Sequence, residues 1–324
     1  FERLVAVSQA TLKIDPMPNS EIIHNAFRIF IDDQCDAIDS GSIETVVLST
    51  SVTRTTWELA AKTNAVHVAS LPESEDWLLQ HLVHTKELES KVIGFIPVVG
   101  GAGASYMAAA TATFLGQTSD TVIIDADPTS GGIDLLFGAE QEIGTRWPQI
   151  SDHSNSGFAE DLIRSLPSVA GVKILSGSGE LAVSEIPLKA VVDSVRSYSP
   201  VVVIDFPRQT SQVLGMAKEL CDEVFLVGTT TVRSCAVLSQ MTSVEHAQNC
   251  GLIIRQIPGS GLEATQVAAS AGLGIRAIIP NDIKLVETVE QGLGFSAIRM
   301  TPFVKSVKSF TENLVSHIET ARAA

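Results

Sequence analysis

Val92-Ile93-Gly94-Phe95-Ile96-Pro97-Val98-Val99-Gly100-Gly101-Ala102-Gly103-Ala104-Ser105 reads as an apolar strand that runs straight into a glycine loop, with an alanine-rich helix after it. Glycines let a backbone curl and point its N–H groups at one spot, and the amino end of the next helix adds a favourable dipole there, so such a joint suits an anion. A tight strand-to-helix turn would use glycines in the same way. A dinucleotide loop is a further option, because Gly101-x-Gly103 is followed about 20 residues later by Asp125 at a strand end. Its third glycine, however, falls on Tyr106, which is too large for close helix packing.

Two segments further along favour a phosphate loop. After the strand Thr121–Ile124 comes Asp125-Ala126-Asp127-Pro128, and then Gly131-Gly132-Ile133-Asp134-Leu135-Leu136-Phe137-Gly138. After the strand Val201–Ile204 comes Asp205-Phe206-Pro207-Arg208. A lone aspartate at a strand end is commonly a turn or cap residue. Asp125, Asp127 and Asp205 at the ends of two apolar strands would together stand beside the loop, where a magnesium ion and an attacking water would lie. Ser105 offers its hydroxyl to the same metal.

Outward from the loop the pattern alternates strand and helix. Strands are expected near Val172–Leu175, Glu223–Val227, Gly251–Arg255 and Arg276–Ile279. Helices fit Ser105–Leu115, Ile186–Ser197, Val213–Leu220, Ser234–Gln248, Leu262–Ala271 and Phe303–Ala321, and Gly138–Asn155 reads as a long, functional loop. This predicts an α/β fold, a doubly wound, mostly parallel sheet with ligands at the carboxyl ends of its strands. A smaller α/β domain precedes it. There Leu4–Val7, Arg28–Ile31, Thr45–Leu48 and Val66–Ala69 read as strands, and Glu21–Ala26, Asp33–Ile38, Thr55–Lys62 and Glu73–Thr85 as helices. The polar stretch Lys86–Lys91 separates the two, giving domains 1–88 and 89–324.

Composition narrows the function. The 324 residues are 45% hydrophobic but only 5% aromatic, so Val, Ile, Leu and Ala must build the cores, as in strands buried on both faces. The net charge of -15 repels nucleic-acid phosphates, and no run of Lys and Arg offsets it, so no nucleic-acid partner is expected. Cys35, Cys221, Cys235 and Cys250 lack C-x-x-C spacing and read as reduced thiols, consistent with a cytoplasmic protein. The seven histidines have no ligand spacing. No apolar run approaches the ~20 residues of a membrane span. The chain begins at Phe1, which predicts a trimmed start. Phe303, Val304, Val307, Phe310, Leu314, Val315 and Ile318 fall at helical spacing, and the few cations among them favour a packed terminal helix over a membrane anchor.

The glycine loop, the D-x-D-P…G-G-x-D-L-L-x-G segment and the V-V-V-I-D-x-P-R strand together resemble the MinD/ParA superfamily of P-loop ATPases. Within it the likeness is to the CpaE/TadZ branch and to actinobacterial septum site-determining (Ssd-like) proteins, with Gly144-Thr145-Arg146-Trp147-Pro148 and Ile254–Pro258 to Ile279–Asp282 also similar. The resemblance implies ATP and magnesium as ligands. It places phosphates on Gly100, Gly101, Ala102, Gly103, Ala104 and Ser105, the metal on Ser105 and Asp205, Asp127 on the attacking water, and Asp125 behind them. An active member reads K-G-G-x-G-K-[ST], and here Val99 and Ala104 stand where both lysines belong. Each lost charged contact costs about 1.5–3 kcal/mol, so ATP binding is expected to be weak or lost. Arg146 and Lys173 are candidate replacement cations. The family's adenine-reading asparagine is not apparent after Gly251–Arg255.

The role the resemblance implies is positioning or regulation of septum or pilus/secretion machinery, through protein partners and a homodimer. Recruitment would be to the septum, a pole or the inner membrane surface. Alternatives are an active Mg-ATPase driving a localisation cycle and a dinucleotide-binding protein. Residues 1–88 resemble a shortened receiver with Leu71-Pro72 near the position of its Lys-Pro, but Ser8-Gln9 and Ser49-Thr50 replace its acidic pair and phosphorylated aspartate. The expectation is therefore a docking domain.

Overall fold

Isoleucine and valine stock Arg28–Asp32 (β1), Glu44–Ser49 (β2) and His67–Ser70 (β3), which pair in parallel in the order β1-β2-β3. The computed structural model describes residues 28–32, 44–63, 65–78, 90–127, 130–150, 158–177, 187–208, 211–242, 247, 249–295 and 301–323. Arg54–Lys62 (α1) connects β2 to β3 and buries Leu59 and Ala60 against Ile31 and Val47. The expected strand Leu4–Val7 and helices Glu21–Ala26 and Asp33–Ile38 lie outside the described residues, as does most of Glu73–Thr85. These elements belong to the first of two compact units, Phe1–Glu87; the second is Leu88–Ala324.

The second unit opens with Lys91–Pro97 (β4), Ala104–Leu115 (α2) and Thr121–Asp125 (β5). Phe158–Ser165 (α3), Ser168–Val169 (β6), Val172–Leu175 (β7), Leu188–Arg196 (α4) and Val201–Asp205 (β8) follow. Ser211–Leu220 (α5), Glu223–Thr229 (β9), Val232–Thr242 (α6), Gly251–Gln256 (β10), Ala264–Ala271 (α7), Ile275–Pro280 (β11), Ile283–Glu290 (α8) and Pro302–Ala323 (α9) complete it. Every residue of β5 and β8 is buried, which is why they read as unbroken apolar runs.

The strands form one sheet in the order β11-β10-β9-β4-β8-β5-β7-β6, parallel except for the β6–β7 pair. β8 lies between β4 and β5, although β5 is the next strand in the chain. The usual dinucleotide fold pairs its first two strands directly, so this order argues against the dinucleotide alternative. Tyr106, where that loop needs its third glycine, packs its ring on Phe295 at a centroid distance of 5.9 Å.

Both faces of the sheet are covered, as β4 shows. Phe95 meets Phe225 and the Phe310 ring of α9, at centroid distances of 5.6 and 6.3 Å. The neighbouring Gly94 points to the opposite face, where an added Cβ would come within 2.9 Å of both Cys221 Sγ and the Phe206 ring. Phe303, Val304, Val307, Phe310 and Leu314 are buried in the core, so α9 packs as a terminal helix. No described helix is long and apolar enough to cross a membrane.

Candidate functional site

β4 delivers the glycine loop at the carboxyl edge of the sheet. Its pairing extends one residue further through Val98 N–H to the Val227 carbonyl (2.9 Å), after which Ala102 N–H bonds the Val99 carbonyl (3.1 Å) and closes a turn. Gly101 and Gly103 adopt φ of +71° and +100°, the left-handed region that side chains disfavour. Gly103 caps α2 without a side chain, leaving the first turn of the helix with no side-chain cap. Val99 and Ala104 are buried in the hydrophobic core, so neither position offers a charge to this edge.

Parallel pairing of β5 with β8 sets Asp125 opposite Asp205, and Ala126 N–H donates to the Asp205 carbonyl at 2.8 Å. Asp205 is buried, and Ser105 in the first turn of α2 hydrogen-bonds its carboxyl. Burial, with the nearby Asp125 adding to it, pushes the Asp205 carboxyl well above the usual range. Its Oδ1 has no hydrogen-bond partner. Asp125 is also buried. Its Oδ2 accepts from Ser130 Oγ (2.8 Å) and Ile133 N–H (2.9 Å), and its Oδ1 from Asp127 N–H (3.0 Å). Burial nevertheless dominates and raises it to about 6. Asp127, next to Asp125 at the end of β5, is half-exposed.

Of Gly138–Asn155, expected as a loop, residues 138–150 are described, and together with the segment just before them they fold onto these acids. Ile133–Phe137 and Trp147–Gln149 are short 3-10 helices. Trp147 is buried, and its indole Nε1–H donates to the Asp125 carbonyl at 2.6 Å. Ser176 Oγ donates to Asp134 Oδ1 (2.9 Å), and Arg146 Nε donates to Asp134 Oδ2 (3.0 Å). The remaining Arg146 nitrogens bond the carbonyls of Gly144, Ala139 and Glu142. Arg146 is thus committed to its own segment, which removes it as a replacement for the missing lysines. Lys173 falls away as well. It is level with Val122, three residues and about 10 Å before Asp125 along the sheet.

A cation that the sequence reading passed over does reach the loop. The half-buried Arg255, near the carboxyl end of β10, donates from Nη2 to the Gly101 carbonyl, and its buried Nε has no partner. The signal was there in Gly251–Arg255, a strand ending in a cation, but strand order alone decides that β10 and the loop share an edge.

Magnesium is the metal that the sequence resemblance implies, and the residues present suit it. A divalent cation would satisfy the unpartnered Asp205 Oδ1 beside the Ser105 hydroxyl. No group of three or more His, Cys, Asp or Glu able to hold a metal occurs among the described residues. Magnesium is commonly held by one or two carboxylates together with phosphates and water, so the sparse donor set fits it.

These features define a MinD/ParA-type P-loop NTPase fold. The ParA family ATPase of Chlorobium tepidum TLS superposes with a TM-score of 0.59 at 18% identity, over 70% of this chain and 99% of that one. The septum site-determining protein MinD of Pyrococcus horikoshii OT3, complexed with Mg-ADP, superposes with 0.55 at 17% identity, over 69% and 96%. No protein-family model matches. In sequence the chain is 33% identical over 256 residues to the uncharacterized protein Rv3660c of Mycobacterium tuberculosis H37Rv, covering 76% of this chain and 72% of that protein. It is 24% identical to the uncharacterized ATP-binding protein MJ0410 of Methanocaldococcus jannaschii over 69% of this chain and 83% of that one. The chain belongs to the same family as Rv3660c.

Proposed function

We propose that this protein positions or regulates septum or pilus/secretion machinery through dimerisation and protein contacts. Magnesium-ATP binding at the glycine loop is weakened because Val99 and Ala104 replace both lysines. One observation carries the nucleotide part: the loop closes beside a buried Asp205 whose Oδ1 is unpartnered and whose carboxyl is bonded by Ser105. The backbone from Gly100 to Ala104 would hold phosphate oxygens, Ser105 and Asp205 would hold the metal, Asp125 would fix the edge behind them, and Asp127 would orient water. A bound magnesium ion would supply positive charge that neutralises phosphate oxygens.

The septal role rests on the likeness to Ssd-like and CpaE-branch proteins and on the MinD/ParA fold. The first unit, a parallel three-stranded sheet, fits a receiver-like docking domain. The protein is cytoplasmic in this reading and is recruited to the septum, a pole or the inner membrane surface. Retention of the acids favours a second reading, a working Mg-ATPase. Calorimetric titration with magnesium-ATP and ADP separates the two. Binding weaker than about micromolar, which is about -8 kcal/mol, without turnover is expected. Tighter binding, with turnover that vanishes in Asp127→Ala, would establish the ATPase instead. A fluorescent fusion in the native cells tests the role: focus at a septum or pole is expected, and uniform distribution would overturn it.

A further inference from the structure

We propose that Arg255 is the cation of the glycine loop, contacting the oxygens of a polyphosphate chain and supplying charge that Val99 and Ala104 do not. The inference rests on the phosphate-binding reading of the loop. Arg255 is half-buried in a chain of net charge -15, yet the Tyr106 hydroxyl is the one titratable neighbour that bears on it among the described residues. A partly desolvated guanidinium without a counter-charge is costly, and its position at a ligand edge accounts for it.

Its placement is specific. Arg255 pairs with Thr229 of β9 at the carboxyl end of the sheet. Its Cδ and Nε lie 3.9 and 4.0 Å from where a Cβ would stand on Gly103, and Nη2 holds the Gly101 carbonyl. The side chain therefore spans the loop between its two left-handed glycines. At the first turn of α2, which that loop leads into, Asp205 presents its own unpartnered oxygen beside Ser105. A cation without a counter-charge and a carboxyl oxygen without a partner around one glycine loop are what a metal-bound polyphosphate completes. The planar guanidinium also suits phosphate oxygens better than an ammonium, because it can donate twice.

Calorimetric titrations of magnesium-ATP and of magnesium-pyrophosphate into the full chain test this, with Arg255→Ala and Arg255→Gln beside the wild type and melting curves to verify folding. Glutamine keeps a donor for the Gly101 carbonyl but carries no charge, so a merely structural pin predicts unchanged affinity. The proposal expects both variants to bind about 10–100-fold more weakly, with a shallower salt dependence than the wild type. Pyrophosphate bound as well as ATP, and equally dependent on Arg255, would support the inference while removing the nucleotide. Wild-type binding that either folded variant matches or exceeds would overturn the inference and leave the nucleotide reading standing. No binding of either ligand to the wild type or the variants would overturn both.

Discussion

Asp125 and Asp205 are adjacent on neighbouring strands, and both carboxyls are raised by burial. The folded state keeps a proton on Asp125 at pH values where the unfolded chain has already lost it. Stability should therefore fall as pH rises from about 4 through about 6, and the gap from 3.8 to about 6 corresponds to about 3 kcal/mol. Urea unfolding across that window measures the slope, and Asp125→Asn should reduce it, leaving the part that Asp205 contributes in the same direction. Asp205→Asn should stabilise the nucleotide-free protein at pH 7 by about 1–3 kcal/mol, read as a higher urea midpoint, because it removes an uncompensated buried carboxyl. The same variant should lose any stabilisation by magnesium-ATP. A lower midpoint would show that the Asp205 charge is balanced in the resting protein.

The segment from Ile133 to Ile150 shows what an element can conceal. From Gly138 on, its sequence has turn residues, short apolar pieces and no period, so that part reads as a loop. It takes shape because Trp147 and Asp134 find partners on the ends of β5 and β7. Arg146→Ala leaves a mostly buried Asp134 short of its cation and should cost about 3 kcal/mol, seen as a lower urea midpoint and faster protease cleavage between Gly138 and Ile150. α9 was legible from its apolar spacing, and its burial follows from the aromatic cluster of Phe95, Phe225 and Phe310. Phe310→Ala should cost about 3–5 kcal/mol in the same measurement. α3, β6 and α8 went unread. They are short, and Asp282, whose side chain caps α8 by accepting from Leu285 N–H at 3.2 Å, was the available signal for the last.

For the whole molecule, the net charge of -15 predicts no measurable affinity for random-sequence duplex DNA at physiological salt, and fluorescence anisotropy would detect the contrary. The larger unit's architecture was mostly legible in the sequence, because strands buried on both faces and helices buried on one leave local, periodic signals. The position of the candidate site's residues in the elements was legible too, since the loop, Ser105, Asp125, Asp127 and Asp205 all sit where an apolar strand ends or a helix starts. Nothing local specified the strand order that inserts β8 between β4 and β5. Nor did it specify which cation serves the loop: the sequence suggested Arg146 and Lys173, whereas the fold ties one to Asp134, sets the other back along β7 and brings in Arg255 from β10. The elements and the acids at their ends follow from neighbours along the chain, and so were written in it locally. The pairings around the candidate site are set by long-range strand pairing and packing, which no local stretch encodes.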